Sequence, residues 1–241
     1  MKIASRILMI FWTLSLFILT IYLALIPTIF NRSFCESEFV KNNTAMTLNM
    51  SDEELNKAID KTLAYLDGKS DTLHFEVTMK DGTVREFYEV TVDPIYPYAV
   101  HDEYAHMEEV RNIFLTSKSI AFLALIVLIS SSILLWTQRK NNATKIFKYS
   151  YITYGVLLAF AIAIGLYAAI DFNAFFTTFH HVFFPNGNWT FNYNSLMLNM
   201  FDALLFGILY QAIIVFIAET LIVLTLIISL NLSLKKYEAL N

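Results

Sequence analysis

Residues Ile7 to Phe30 read ILMIFWTLSLFILTIYLALIPTIF, an unbroken run without a single charged side chain. A bilayer core about 30 Å thick is crossed by roughly 20 apolar residues in a helix, so this stretch is long enough to span. Lys2 and Arg6 precede it, which keeps a signal peptide as the competing reading. The run outlasts a signal h-region of about 7–15 residues and has no small-x-small cleavage site, so a retained helix is expected. Three further stretches qualify, at 116–136, 151–170 and 204–230. With no water in the bilayer to satisfy backbone groups, each must be helical.

Composition agrees. Of 241 residues, 56% are hydrophobic and 16% charged, against about 25% charged in an average soluble domain; the mean hydropathy is +0.52. One cysteine excludes a disulfide scaffold and any multi-cysteine metal centre. That residue, Cys35, follows Asn31-Arg32-Ser33-Phe34, which is unlike a lipobox, so the chain is not expected to be a lipoprotein itself. The net charge of −4 conceals a segregation. The N-terminus, the 137–150 connection and the 231–241 tail together hold 8 basic residues and one acid, whereas 31–118 holds 9 basic and 17 acidic residues. The positive-inside rule then expects both termini in the cytoplasm and the two longer connections outside. The expected class is an α-helical integral membrane protein of four transmembrane helices with a small extracytoplasmic α+β cap. Its segments are 1–30 (N-terminus and first span), 31–115 (cap), 116–136, 137–150 (inner loop), 151–170, 171–203 (outer loop), 204–230 and 231–241 (tail). No nucleic-acid partner is expected, since acids outnumber bases outside.

Within the cap, Ser51-Asp52-Glu53-Glu54 has capping-box spacing, followed by Leu55, Ala58, Ile59, Leu63 and Leu66 at helical intervals, with Gly68 as the stop. Thr72–Met79 alternates as a strand with Leu73, Phe75, Val77 and Met79 on one face. Lys80-Asp81-Gly82 turns into a second strand expected over Thr83–Val92. A helical pattern resumes at Asp102 and runs on into the second span. The 171–203 connection is dense in aromatic residues, as expected of an interfacial belt, but a belt does not explain His180-His181 at its centre.

Of five histidines, His74 and His101 read as solvated surface residues. His106 has Glu103 and Glu109 three residues to either side, and on a helix either carboxylate reaches the imidazole. A solvated charged helix is the competing reading for His106, and belt decoration for His180-His181. A metal site of His106, His180 and His181 suits zinc or iron by ligand type, but no HExxH or cysteine-rich spacing supports it; neither metal nor cofactor is expected. Asp202 reads as an acid near the start of the fourth helix, and Glu219, near mid-span, must pair, be protonated or face a polar interior. No serine elbow, P-loop or dinucleotide fingerprint occurs.

Glu103-x-x-His106-Met107-x-Glu109-Val110-x-x-x-Phe114 and Phe179-His180-x-x-Phe183-Phe184-Pro185-Asn186-x-x-Trp189-x-Phe191 resemble the bacterial lipoprotein intramolecular transacylases, and the likeness extends to the four-span layout with its cap. The chain departs from the family pattern with Glu109 in place of an aspartate, with Asn192-Tyr193 and Leu196 in place of an Asp-Pro and a further Asp, and in lacking a proline early in the last span. The resemblance implies a bacterial cell-membrane acyltransferase acting on S-diacylglyceryl-cysteine lipoproteins among membrane lipids. It would move the sn-2 acyl chain to the N-terminal α-amine and leave an N-acyl, S-monoacylglyceryl (lyso) product. It further implies His106 and His180 as acid and base, with Glu103 or Glu109 orienting His106. Phe179, Phe183, Phe184, Asn186 and Trp189 would bind substrate. A non-catalytic protein with a binding or sensing cap and a histidine-liganded metalloenzyme are the alternatives. Geometry adds one demand: His106 lies ten residues, about 15 Å of helix, before the second span, so a kink near Thr116-Ser117 or a folded-down cap is expected to bring it to His180.

Overall fold

A computed structural model of the chain describes residues 3–92, 100–137, 143–185 and 187–240. Four helices are long and apolar enough to cross a membrane: α1 (Ile3–Ile29), α5 (Glu103–Thr137), α6 (Ala143–Ile170) and α8 (Leu196–Leu240). The stretches at 116–136, 151–170 and 204–230 lie inside the last three, and α1 covers the first expected span up to Ile29. Between α1 and α5 come α2 (Arg32–Lys41), α3 (Thr44–Thr47), α4 (Asp52–Leu66), β1 (Glu76–Thr78), β2 (Val84–Glu86), β3 (Val90–Val92) and β4 (Val100–Asp102). α7 (Phe172–Phe183) lies between α6 and α8. The chain is a helical, multi-pass membrane protein with a small β region between its first two spans.

Two compact units are distinguished. The first comprises 1–25, 118–173 and 212–241. Its core is Met9, Trp12, Phe17, Phe147, Tyr154 and Ile227. Lipid tails offer helices no hydrophobic reason to associate, so polar cross-links matter here. Trp12 Nε1 donates to Ser132 Oγ (2.9 Å), the Thr13 and Ser150 hydroxyls are 2.9 Å apart, and the Tyr154 hydroxyl donates to Thr220 Oγ1 (3.4 Å). Glu219 is half-buried on α8, and its Oε2 has no hydrogen-bond partner among the described residues.

The second unit comprises 26–117 and 174–211. Asn31 caps α2, its side chain accepting from Phe34 N–H. α2 and α3 fill a stretch that the sequence reading left unassigned. α4 starts at Ser51, whose side chain accepts from Glu54 N–H at 3.1 Å. The reciprocal half of the capping box is absent. Glu54 instead accepts from Thr78 N–H (2.9 Å) and pairs with Lys57, tying the helix to β1. The buried face of α4 is Leu55, Ala58, Ile59, Thr62, Tyr65 and Leu66. Leu63, expected there, is only partly buried. Thr62 is drawn in because its hydroxyl lies 2.7 Å from that of Tyr88.

The hairpin forms with Val77 opposite Arg85, and Leu73, Phe75, Val77 and Met79 are all buried as expected. The second strand is the correction. Instead of running from Thr83 to Val92, it stops after Glu86, and Val90–Val92 pairs with Val100–Asp102 in a separate two-stranded sheet. Consecutive strand residues point to opposite faces, yet Phe87 and Tyr88 are 0% and 1% exposed. Burying both requires the chain to turn out of the ladder between them and β3. The 171–203 connection is also corrected: its first part is not a belt-like loop but α7, with His180 and His181 in the last turn. Asp202 does not cap α8. Ser195 does, its Oγ accepting from Leu198 N–H at 2.9 Å.

Replacing Phe87 by alanine is expected to destabilise the second unit by about 3–5 kcal/mol through the cavity it leaves. Val90→Ala, at an exposed position, is expected to shift stability by less than about 0.5 kcal/mol. Thermal unfolding of the detergent-solubilised chain, followed by protection of buried amides in this unit, checks both.

Candidate active site

Two elements of the second unit supply the histidines. His106 is in the first turn of α5, outside the apolar stretch that begins near Thr116, and His180 is in the last turn of α7. Their rings lie 6.4 Å apart between centroids and within 20° of parallel. Each histidine is 8% exposed. α5 runs as one helix from Glu103 to Thr137. The histidines meet because residues 174–211 fold into one compact unit with 26–117.

Aromatic rings enclose the pair. Phe184, 3% exposed, lies 4.6 Å from His106 and 5.4 Å from His180. Phe191 stands 5.2 Å from His106 and Trp189 4.9 Å from His180. Phe179 and Phe183 are exposed and 4.6 Å from one another, and Phe179 is 5.4 Å from His180. Exposed His181 faces the other side of Trp189 edge-on at 5.4 Å. Of the sequence-derived set, Asn186 lies outside the described residues.

The protonation of the pair follows from its hydrogen bonds. His180 Nδ1 is 2.8 Å from the Phe176 carbonyl. A carbonyl only accepts, so Nδ1 carries the hydrogen and Nε2 keeps its lone pair. His106 Nδ1 is buried with no hydrogen-bond partner among the described residues. Burial pushes the His106 pKa down to about 4, with the facing His180 adding to it and the Asn188 backbone opposing it. Burial likewise lowers His180, against the Phe176 carbonyl that raises it. Both rings are therefore neutral at physiological pH.

The carboxylates near His106 are placed otherwise than the sequence suggested. Glu103, 4% exposed, accepts from Glu89 N–H at 2.9 Å and from the Ser195 hydroxyl. It thus ties the start of α5 to the segment before β3 and to the cap of α8. Glu109 is partly buried further along α5. The loop after α7 is tied instead to the residue before α5. Its Asn188 amide exchanges two hydrogen bonds with the backbone of Asp102, Asp102 N–H to Oδ1 at 3.1 Å and Nδ2 to the Asp102 carbonyl at 2.7 Å. Gly187, at φ +80°, makes the turn that delivers it, in a conformation open to few other residues. Sequence reading passed over Asn188, Phe176 and Ser195. The Gly187-Asn188 turn was the available signal for Asn188, but backbone carbonyl contacts leave no trace in residue type. Among the described residues, no group of three or more His, Cys, Asp or Glu side chains is clustered to hold a metal ion.

These features define a multi-pass membrane protein with a buried, neutral histidine pair under an aromatic wall. A family model described as "Lipoprotein intramolecular transacylase Lit" matches residues 9–206. The chain belongs to that family and is a membrane transacylase of lipoprotein maturation. Among solved structures, it resembles the membrane integral lipoprotein intramolecular transacylase Lit from Bacillus cereus, determined in meso. The TM-score is 0.68 at 16% identity, covering 99% of both chains. A variant of that enzyme with one histidine changed to arginine gives 0.68 at 16% identity, over 98% of this chain and 94% of that one. A histidine-to-alanine variant gives 0.67 at 18%, over 99% and 96%. These likenesses establish a shared fold. No curated protein matches the sequence.

Because the pair is neutral when folded and titrates near pH 6.5 when unfolded, its burial has a pH signature. Stability is fully present above about pH 6.5 and is lost as the pH falls toward 4, where the unfolded chain binds protons the folded site refuses. The melting temperature of wild type is expected to fall over that window more steeply than that of His106→Gln. Parallel melting curves would contradict it.

Proposed function

We propose that this chain moves the sn-2 acyl group of an S-diacylglyceryl-cysteine lipoprotein to the free α-amine of that same cysteine, with His106 and His180 as the acid–base pair. The observation that carries it is the pair itself: two facing imidazoles among aromatic rings, with His106 Nδ1 free of any hydrogen-bond partner among the described residues. The N-terminal 1–30 and the spans at 116–136, 151–170 and 204–230 anchor the site. On the charge distribution, the termini, the 137–150 loop and the 231–241 tail are cytoplasmic. Residues 31–115 and 171–203 face outward in a bacterial cell membrane.

The amine, with a pKa of about 7.7–8.0, attacks as the neutral species. Its extra proton is lost to water, and the nitrogen then bonds to the ester carbonyl carbon. One imidazole takes the proton released as that bond forms. The proton passes to the facing imidazole, which gives it to the glyceryl oxygen as that oxygen's bond to the carbonyl carbon breaks. The products are an amide and a free sn-2 hydroxyl, with one proton returned to water. Donor and acceptor belong to one molecule, so positioning supplies much of the acceleration; effective molarities reach about 10⁵–10⁸ M in well-oriented systems. A buried imidazole parts readily with a proton once it has one, since the same burial that lowers its pKa disfavours the charged form. Phe179, Phe183, Phe184 and Trp189 offer acyl chains an apolar bed, and Asn186 is the polar substrate contact expected from the motif. Glu103 holds the start of α5 in place through Glu89 and Ser195. Glu109 stands further along the same helix. The reaction as written needs no cofactor or metal. Its partners are the lipoprotein substrate and the surrounding membrane lipids.

Expression in a bacterium that makes diacylglyceryl lipoproteins, followed by mass spectrometry of the lipopeptides, tests the reaction. Wild type is expected to yield the lyso N-acyl form, and His106→Ala and His180→Ala each to lose about 10²–10⁴-fold in rate. Unchanged lipopeptides with folded wild-type protein in the membrane would overturn it. With purified protein and a synthetic dipalmitoylglyceryl lipopeptide, the rate is expected to climb with pH to about 8 and then level, following the amine.

A further inference from the structure

We propose that the first unit carries a binding site for an anionic phospholipid, with Arg6 on the phosphate and an acyl chain in the groove beside it. The groove has a volume of about 540 Å³. Its walls are Met9 and Trp12 of α1, Trp136 of α5, Phe147 of α6, and Leu230 and Tyr237 of α8. These residues lie near the start of α1, the end of α5, the start of α6 and the last turns of α8, so the groove sits at the end of the spans where both termini are found. Trp12 stands six residues deeper along α1 than Arg6, and Leu230 seven residues deeper along α8 than Tyr237. The groove therefore follows the helices for about 10 Å. An apolar slot running along the spans, with a charged group at one end, suits a lipid tail and its headgroup.

Arg6 is one turn before Met9 on the same face of α1. Its guanidinium carbon lies 5.4 Å from the centroid of the Tyr149 ring. Tyr149 packs against the apolar cluster that contains Met9, Trp12 and Phe147, which puts the cation at the groove wall. The ring attracts the charge but does not satisfy its donors: Arg6 Nε is buried with no hydrogen-bond partner among the described residues. A buried N–H left unbonded is costly. A phosphate oxygen supplies the missing acceptor, and the planar fork of a guanidinium takes phosphate through two parallel bonds. Lys235 and Lys236, exposed beside Tyr237, add positive charge at the same end of α8. A zwitterionic headgroup would bring its own ammonium toward these cations, so an anionic one is preferred. The histidine pair belongs to the second unit and takes no part.

Tryptophan fluorescence of the full-length protein in detergent micelles tests the site. The chain has three tryptophans. Replacing Trp136 and Trp189 by phenylalanine leaves Trp12, which is 6% exposed and is reached by a quencher that enters the groove. Dibrominated phosphatidylglycerol is expected to quench this parent protein saturably, with a midpoint about tenfold below that of dibrominated phosphatidylcholine, the scale of one charge-assisted hydrogen bond. Arg6→Gln is expected to bring the two midpoints together. Arg6→Lys, which keeps the charge and loses the fork, is expected to restore part of the difference. Ser233→Phe adds bulk to the groove wall at an exposed position and is expected to raise both midpoints. Equal midpoints in the parent, quenching that climbs without saturating, or a preference that persists in Arg6→Gln would overturn the site. If Arg6→Gln does not fold, the parent's lipid preference and the Ser233→Phe midpoints decide it, unchanged midpoints in the latter counting against the groove. Lipopeptide conversion plays no part in the readout, so either result leaves the transacylation untouched.

Discussion

Two imidazoles buried face to face without a counter-charge impose a demand that the rest of the second unit meets. Neither ring can carry a proton cheaply where it sits, and neither can leave both nitrogens unbonded. For His180 the structure answers with a backbone carbonyl from within α7, that of Phe176. It satisfies a donor without introducing charge. A carboxylate partner would have stabilised the imidazolium and drawn the pair toward permanent protonation. The nearby acids are instead consumed in fixing backbone: Asp102 on Ala105, Glu103 on Glu89 and Ser195.

Holding the facing rings in place is a matter of folding the chain between the first two spans. The hairpin of β1 and β2 packs its apolar face over α4, and the adjacent burial of Phe87 and Tyr88 diverts the chain out of that ladder. The diverted strand pairs with β4, which hands over directly to α5. The start of α5, the cap of α8 and the loop after α7 are thus tied to one another by Glu103 and Asn188 within a single compact unit. The cap is part of the site's architecture rather than a separate module, because the strand that ends at Asp102 provides the backbone on which the Asn188 loop is docked.

Much of the fold was legible in local pattern. The apolar runs that become α1, α5, α6 and α8 follow from bilayer thickness and the rise of a helix. The start of α4 at Ser51 and the burial of Leu73, Phe75, Val77 and Met79 follow from capping chemistry and strand alternation. What local pattern misjudged has a common cause. α7 is a helix rich in aromatic residues, which are weak helix formers by themselves, and His180 is its one buried residue. The interruption after Glu86 comes from two neighbouring side chains both finding the core. The capping box at α4 is half-used because Glu54 found a better partner on β1.

The sequence by itself determined that this is a four-span membrane protein with an acidic connection, and that its chemistry, if any, belonged to the histidines of two motifs. Span length, charge segregation and the absence of other reactive signatures are properties of residues taken in order, and they need no coordinates. Only the tertiary structure decided that His106 and His180 face one another and that the partner orienting His180 is a main-chain carbonyl. Those outcomes depend on which distant segments fold together and on groups that every residue carries alike. A carbonyl at Phe176 has no letter of its own, and its role exists only where the fold puts a ring against it.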